Sequence, residues 1–445
     1  MTAPGSDAAR PAERRRHLAL VAVLCAALQA ASATWIVTRF ETPNASTDYA
    51  RTLAATGRYE ANYGARLWGP APERAGEPLR LYILPGEALY LAAALRALPP
   101  QLLRYVHVPV TTLLVVAVAA FAGVVGGPRL AVAAGLVAAL QPFVLVHGPV
   151  WDDIFLGAAL LWAVLACMAA RTRAATPQPS PPPLSPPRLA SLAAVAAAAG
   201  LASVTRAEVP PMLALVGLAV VTLPSLRAAR PEAMSALLGA TLALGAWGVR
   251  NYVAVGQLSL GASADGITLW EWNGPWTRAA AREGRITELS LDPRVMAPHW
   301  AKTRHMSEVE ASRYFTRQAL RFVATHPGTE VATVARKLLY TATGLRPWVP
   351  VRSPRNVVAL AANALTFALA AAGAAAIVRD RERRRRLAPV AALVAPLVAT
   401  EVLVLLVGPI GLRYRIVLDG VLWTAAAVGV LHLLDRLHAR PDPAQ

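Results

Sequence analysis

Carboxylate side chains stand close to the ends of apolar segments in this chain. Asp48 follows the first such segment, and Asp152 and Asp153 follow the third. Ionisable groups near a bilayer are costly and are usually functional. We therefore predict that these acids belong to a catalytic site, with Asp152 or Asp153 as a second acid that positions an acceptor or a metal. The alternatives are a helix cap or a solvated loop acid for Asp48, and a favourable interaction with a helix dipole for the adjacent pair. Two adjacent carboxylates are fewer than an oxygen-ligand metal site needs.

Four arginines form a second chemical feature. Each stands at a boundary between an apolar segment and a polar one, and they are Arg206, Arg250, Arg413 and Arg415. Guanidinium groups bind phosphate through charge-assisted and often bidentate hydrogen bonds. If all four lie at one membrane face, they suit a phosphate at the level of the lipid headgroups. For each arginine alone, snorkelling to the interface is the competing interpretation, and Arg206 could simply pair with Glu208.

Two acids lie inside apolar segments near the C-terminus. Asp419 stands four residues after Arg415, which predicts a local ion pair on one helix. Glu401 has no partner nearby in sequence, so it either hydrogen-bonds inside a helix bundle or lines the substrate site. An intramembrane acid pair could instead mark proton coupling in a transporter. Trp270 opens an aromatic-rich stretch that could stack on a sugar or anchor the chain at the interface.

The amino-acid composition indicates which class of protein carries these groups. The chain has 445 residues, of which 56% are hydrophobic and only 16% charged, and the mean hydropathy is +0.43. Soluble domains contain about 25% charged residues, so this composition excludes disorder and argues against an ordinary soluble enzyme. The formal net charge is +18, and Lys302 and Lys337 are the only lysines. Membrane topology explains this arginine excess better than nucleic-acid binding does. Cys25 and Cys167 both lie in apolar runs, and no zinc or nucleotide-binding motif occurs.

The apolar residues are grouped in runs close to the length of about 20 residues that a spanning helix needs. We predict about ten transmembrane helices, near 17–38, 104–126, 129–147, 154–171, 188–204, 208–226, 232–250, 356–378, 387–408 and 416–434. An eleventh run, 81–98, contains Pro85, Gly86 and Glu87, which makes it a poorer candidate.

The arginine clusters decide how the eleventh run is interpreted. Arg14 to Arg16 precede the first span, and the segment 379–386 holds six arginines. Short cytoplasmic loops collect arginine and lysine, so both clusters should be inside. This requires an even number of spans between them, which makes 81–98 an outer juxtamembrane helix. The predicted organisation is an N-terminal transmembrane module (1–250) with a first outer loop (39–103), an extracytoplasmic and mostly helical segment (251–355), and C-terminal transmembrane helices (356–445).

The order of these features resembles a known family of membrane enzymes. The segments that carry the resemblance are Asp48 to Tyr59, Pro85-Gly86, Asp152-Asp153, Leu201 to Glu208, Arg250-Asn251-Tyr252 and Arg413-Tyr414-Arg415. Together they resemble the integral-membrane GT-C glycosyltransferases, in particular the bacterial protein-mannosyltransferase-like group (glycosyltransferase family 39) and the aminoarabinose-transferase-like group. The chain departs from the pattern at Tyr49, where many relatives have a second acid, and at Ala207, where they have proline.

The resemblance implies an all-α polytopic protein of GT-C type, in a bacterial inner membrane, with its site on the extracytoplasmic face. It implies transfer of a sugar from a polyprenyl-phosphate donor to a hydroxyl of a glycan, lipid or protein, with inversion and with Asp48 as general base. No nucleic-acid partner is implied, no cofactor is certain, and a divalent metal is compatible but not required. Further substrate contacts are expected from Tyr49, Tyr59, Glu87, Asn251, Trp270 and Glu401. The alternatives are a transporter or flippase of a lipid-linked saccharide, and a non-catalytic subunit of an envelope complex.

Overall fold

The computed structural model describes residues 11–36, 44–70, 74, 77–174, 185–283, 286–345, 350–408 and 412–438. Within these ranges the protein is helical, and its one strand-like feature is a single antiparallel bridge between Ala61 and Leu79. The helices are α1 (Pro11–Trp35), α2 (Ala45–Thr56), α3 (Gly64–Trp68), α4 (Pro85–Ala97), α5 (Val108–Ala139), α6 (Pro142–His147), α7 (Asp153–Ala174), α8 (Pro186–Ser203), α9 (Val209–Thr222), α10 (Arg230–Val255), α11 (Ala264–Trp272), α12 (Thr277–Glu283), α13 (Pro293–Thr303), α14 (Glu308–Thr325), α15 (Pro327–Thr343), α16 (Pro354–Arg379), α17 (Arg381–Val407) and α18 (Leu412–His438).

Seven helical stretches of the described residues are long and apolar enough to cross a membrane, judged by length and composition. They are Ala12–Trp35, Pro100–Ala139, Asp153–Arg173, Pro224–Val255, Pro354–Arg379, Arg381–Leu406 and Arg415–His438. The shorter helices α8 and α9 coincide with two further predicted runs. Each apolar run that the sequence predicts as a span therefore falls on helical structure, as expected for a polytopic GT-C protein.

The long stretch Pro100–Ala139 is a helical hairpin rather than one rod. Its backbone leaves the helical region at Gly126 and at Gly127, where φ is +83°, and Pro128 follows. Positive φ is readily adopted by glycine alone, so this turn depends on Gly127. The two arms then pack against each other in opposite directions: a Cβ atom at Gly123 would lie 3.1 Å from that of Ala131, and one at Gly135 would lie 3.4 Å from that of Ala119. The predicted runs 104–126 and 129–147 are thus separate.

The run at 81–98 forms α4, which has 13 residues. At 1.5 Å per residue this helix is about 20 Å long, short of the roughly 30 Å hydrocarbon core. Its first turn is anchored to another element, because the backbone N–H of Gly86 donates to the carbonyl of Val204 at 2.7 Å. These observations agree with a juxtamembrane helix.

The helices outside the long spans share a second core. Its large buried residues include Tyr49, Trp68, Trp151, Trp270 and Phe315. Glu308, at the start of α14, ties the first loop to the segment 251–355. Its carboxylate accepts hydrogen bonds from the backbone N–H groups of Arg80 and Leu81 at 2.6 and 2.9 Å, and from the hydroxyl of Ser263 at 3.2 Å. The two segments that are far apart in sequence are therefore one packed layer.

Candidate active site

Asp48 lies in the first turn of α2, which begins with a capping box between Asn44 and Thr47. The Tyr63 hydroxyl donates to Asp48 Oδ2 at 2.7 Å, and Arg51 Nη1 lies 3.8 Å from Oδ1. The Asp48 side chain remains 43% exposed. One carboxylate oxygen is thus held by the protein, while the group as a whole stays accessible to a substrate.

One hydrogen bond joins the segment that carries Asp48 to the segment that carries Asp152 and Asp153. The Asn44 side-chain amide donates to the carbonyl of Trp151 at 3.1 Å, so the turn that carries Asp48 lies next to Asp152 and Asp153. Trp151 is fully buried, which fixes the position of the chain just before α7. Asp48 lies four residues after Asn44, and Asp152 directly follows Trp151, so this hydrogen bond joins the two segments that carry the predicted acids, although about 100 residues separate them in the chain.

Arg206 lies between two carboxylates at the start of α9. Its Nη1 is 3.5 Å from Asp153 Oδ2, and its Nε and Nη2 both lie 2.6 Å from Glu208 Oε1. Gly157 on α7 leaves space for it, since a Cβ atom there would lie 2.5 Å from the Arg206 side chain. The pairing with Glu208 that the sequence allowed is present, and Arg206 links it to the Asp153 turn.

Arg250 is occupied by main-chain oxygens. It donates to the carbonyls of Arg80 and Tyr59 at 2.7 and 2.9 Å, and its guanidinium lies 5.1 Å from the ring centres of both Tyr59 and Trp247. These contacts hold the end of α10 against the first loop. Arg250 therefore has a clear architectural role, whatever else it binds.

Arg415 is buried in a similar network. It donates to Asp419 at 2.6 Å, to the carbonyls of Thr341 and Ala342 at 3.0 and 2.8 Å, and to Asn363 Oδ1 at 2.5 Å. The ion pair predicted from the four-residue spacing is thus present, and it also joins α18 to α15 and α16. The side chain of Arg413 lies outside the part of the protein that the structure describes.

Glu401 is fully buried on α17, and within the described residues neither of its carboxylate oxygens has a hydrogen-bond partner. The charges of Glu208, Arg206 and Asp419 act on it. Asp265, in the first turn of α11, joins the same group. Desolvation by the surrounding protein raises its pKa to about 6; the backbone N–H of Ala262 and the charge of Arg206 lower it, and the charge of Glu208 raises it.

Glu87 forms a buried pair with His107, whose Nε2 lies 2.7 Å from Glu87 Oε1. Burial raises the pKa of Glu87, His107 lowers it, and the negative charge of Asp153 raises it again. Glu87 is therefore close to the predicted second acid. Sequence analysis missed His107, and the available signal was a lone histidine at the head of an apolar run.

The remaining predicted substrate contacts lie within the packed core. The hydroxyl groups of Tyr49 and Tyr59 donate to the carbonyls of Leu79 and Ile83 at 2.6 and 3.1 Å. The Asn251 amide donates to the carbonyl of Ser259 at 2.7 Å. Trp270 is buried against His299 and Phe315, with ring centres 4.9 and 5.6 Å away. These four side chains therefore make contacts inside the folded protein. Among the described residues no group of three or more His, Cys, Asp or Glu could hold a metal ion.

No protein-family model and no curated protein sequence matches the chain. Its structure is similar to that of the archaeal oligosaccharyltransferase AglB from Archaeoglobus fulgidus, solved with an inhibitory peptide and a dolichol-phosphate: TM-score 0.54, 13% identity, covering 96% of this chain and 51% of that chain. A structure of the Archaeoglobus fulgidus oligosaccharyltransferase with Zn and sulfate gives TM-score 0.54 and 14% identity over 95% and 49%. The chain therefore spans about half the length of these proteins. At this identity the likeness shows a shared GT-C fold.

Proposed function

We propose that the protein is a membrane glycosyltransferase that moves a sugar from a polyprenyl-phosphate donor to an acceptor hydroxyl on the extracytoplasmic side, with inversion. The contact between Asn44 and Trp151 supports this proposal, because it joins the segment that carries the accessible Asp48 to the segment that carries Asp152 and Asp153. The GT-C fold supports it, since the similar AglB structure contains a dolichol-phosphate, which is a polyprenyl-type lipid phosphate.

Asp48 acts as the general base in this scheme. Tyr63 holds Oδ2, which leaves Oδ1 to take the proton of the acceptor hydroxyl. The acceptor oxygen then attacks the anomeric carbon from the side opposite the phosphate, and the bond from that carbon to the phosphate oxygen breaks. The polyprenyl phosphate leaves with the bonding electrons. Attack from the opposite side inverts the anomeric centre, and phosphate is already a good leaving group.

Asp152 and Asp153 position the acceptor, and Arg206 supplies positive charge beside them for the leaving phosphate. A lipid-linked donor brings its own membrane anchor, so the chain needs no nucleotide-binding motif, and the sequence contains none. The acceptor is a glycan, a lipid or a protein. The inhibitory peptide in the AglB structure favours testing peptide acceptors first.

The test is the specific activity of Asp48→Asn. Purified protein is supplied with labelled polyprenyl-phosphate sugars, and release of polyprenyl phosphate is followed. We expect kcat to fall about 10²–10⁴-fold with an unchanged melting temperature, because asparagine keeps the size of the side chain but cannot take the proton. Glu77→Gln changes an exposed acid of the same loop and is the matched control.

Full turnover by folded Asp48→Asn would exclude Asp48 as the base and move that role to Asp152 or Asp153. Full function of variants at all three positions would favour the transporter alternative instead. In that alternative Glu401 and Asp419 would be the proton-coupling acids, and Asp419 is already bound to Arg415 at 2.6 Å.

A further inference from the structure

Helix α15 has its polar residues inside and its apolar residues outside. Its buried face carries a polar row at helical spacing, namely Glu330, Thr333, Lys337 and Thr341. Its exposed face carries Val331, Leu338 and Leu339, of which Val331 is 70% exposed and Leu339 54%. A helix on a water-facing surface has the opposite arrangement. In a membrane protein, this pattern indicates that α15 lies against lipid and that its polar row faces an interior site.

Lys337 is the cation of that row, and its bonding capacity is only partly used. The side chain is 3% exposed, and Nζ donates to Asn273 Oδ1 at 2.7 Å. The next oxygens are more distant, with the carbonyl of Leu406 at 3.5 Å and Glu330 Oε1 at 3.9 Å. An ammonium group has three donors. Among the described residues one donor of Lys337 is matched at a normal distance, one reaches Leu406 only at 3.5 Å, and the third has no hydrogen-bond partner. Leaving donors of a buried charge poorly matched is costly, and an incoming anion would remove that cost.

The position of Lys337 relates it to the proposed active site through two helices. Leu406 is five residues beyond Glu401 on α17, a rise of about 7.5 Å along the helix. Asn273 follows α11, whose first turn carries Asp265. Lys337 thus contacts the two segments that carry Glu401 and Asp265, about one and a half to two helical turns from each acid. A phosphate held on this inner face would direct its sugar toward those acids, while its lipid chain passes the edge of α15 to reach the membrane.

We propose that Lys337, on the inner face of α15, binds the phosphate of the lipid-linked sugar donor. This rests on the proposed function and names a subsite within it. The phosphate oxygens accept the unused Nζ donors, and the polyprenyl chain extends into the lipid that covers Val331, Leu338 and Leu339. Asn273 keeps the ammonium group in place while the site is empty.

Equilibrium binding to the full chain in phosphatidylcholine nanodiscs tests the proposal. The probes are a polyprenyl phosphate, the matching polyprenol, inorganic phosphate and phosphatidylglycerol. We expect the polyprenyl phosphate to bind at least about 10-fold more tightly than the polyprenol, and Lys337→Met to remove most of that difference. Lys302→Met alters the chain's other lysine, which is exposed, and should leave it unchanged.

Unchanged polyprenyl-phosphate affinity in folded Lys337→Met would overturn the proposal. Equal competition by inorganic phosphate or phosphatidylglycerol would also overturn it, because the site would then be a general anion site. Neither result depends on turnover, so both are separable from a failure of Asp48 as base. If wild-type protein binds the donor lipid and Asp48→Asn is inactive, the proposed function stands even when the Lys337 assignment fails.

A pH titration keeps the proposal testable if Lys337→Met does not fold. Burial lowers the pKa of Lys337 to about 8, and Glu330 raises it. The next charged groups on the helices packed against α15 are Glu401 on α17 and the Arg415–Asp419 pair on α18, whose Arg415 donates to the carbonyl of Thr341. The ammonium is charged below this pKa, so wild-type affinity should fall as the pH rises through and above 8. Lys337→Arg stays charged and should lose this dependence. The same pH profile in both proteins would contradict a role for Lys337.

Discussion

The Tyr63 hydroxyl sets the orientation of the Asp48 carboxylate through their 2.7 Å hydrogen bond. The Tyr63 ring is itself fixed by stacking on Tyr82, with ring centres 5.0 Å apart. We expect Tyr63→Phe to keep this stacking but to lower kcat about 10-fold or more, since hydrogen bonds to charged groups contribute about 1.5–3 kcal/mol. Tyr105→Phe removes a hydroxyl that contacts Thr34 and is the control. A normal kcat in Tyr63→Phe would show that Asp48 needs no such support.

The buried acids Glu401 and Glu232 differ in their hydrogen bonding, and their contributions to stability can therefore be compared. Glu401 has no hydrogen-bond partner in the described part of the chain, whereas Glu232 accepts from Arg171 at 2.8 Å. An acid buried without a partner is costly, so Glu401→Gln should leave the melting temperature unchanged or raise it. Glu232→Gln weakens a buried ion pair and should lower it. The measurement is thermal unfolding of both variants in the same detergent. A lower melting temperature for Glu401→Gln would mean that the Glu401 carboxylate accepts a stabilising hydrogen bond after all.

The separation of two residues along the chain determines whether their contact can be predicted from sequence. The pairs Arg206–Glu208 and Arg415–Asp419 lie within one helical turn or less, so their contact follows from sequence. Tyr63, His107 and Lys337 find their partners through folding, at separations of 15, 20 and 64 residues. A single sequence contains no signal for such contacts. Lys337 therefore stood out in sequence only as one of two lysines.

At the scale of elements, close helix packing depends on small residues. A Cβ atom at Gly239 on α10 would lie 1.9 Å from the carbonyl oxygen of Ala196 on α8, whereas one at Gly245 on the same helix would meet nothing within 4 Å. We expect Gly239→Ala to lower the melting temperature, because the two backbones must separate. Gly245→Ala should be neutral or stabilising by up to about 1 kcal/mol, since alanine favours helix. Equal effects would show that the α8–α10 contact is looser than described.

Patterns of apolar residues predicted the positions of most helices, but not which face of each helix is buried. The ten runs fall on helical structure, and the Gly126-Gly127-Pro128 turn separates two of them because glycine adopts the positive φ required. Helix α15 was expected within an outer, water-facing segment. An amphipathic period is the same whether the polar face is outside or inside, so periodicity alone could not show that α15 buries Glu330 and Lys337. That distinction needs the contacts made by neighbouring helices.

At the scale of the whole molecule, the arginine distribution predicts which side of the membrane each end of the helices faces. The cluster 379–386 should be cytoplasmic and α13 extracytoplasmic, because short inner loops collect arginine. Cysteines at Arg294 on α13, whose side chain is 76% exposed, and at Arg384 on α17, which is also exposed, can report this. The native Cys167 is exposed and must first be replaced.

With a membrane-impermeant maleimide on intact spheroplasts, we expect the Arg294→Cys protein to be labelled and the Arg384→Cys protein to react only after lysis. The reason is the even number of spans between the N-terminal arginines and the 379–386 cluster, which holds only if α4 does not cross the bilayer. Labelling of Arg384→Cys in intact spheroplasts would mean that α4 spans, or that one of α8 and α9 does not. If α4 spans, Asp48 would lie at the membrane face opposite to Asp152 and Asp153 and could not serve an acceptor beside them. If α8 or α9 does not span, these three acids stay at one face and Arg250 moves to the other.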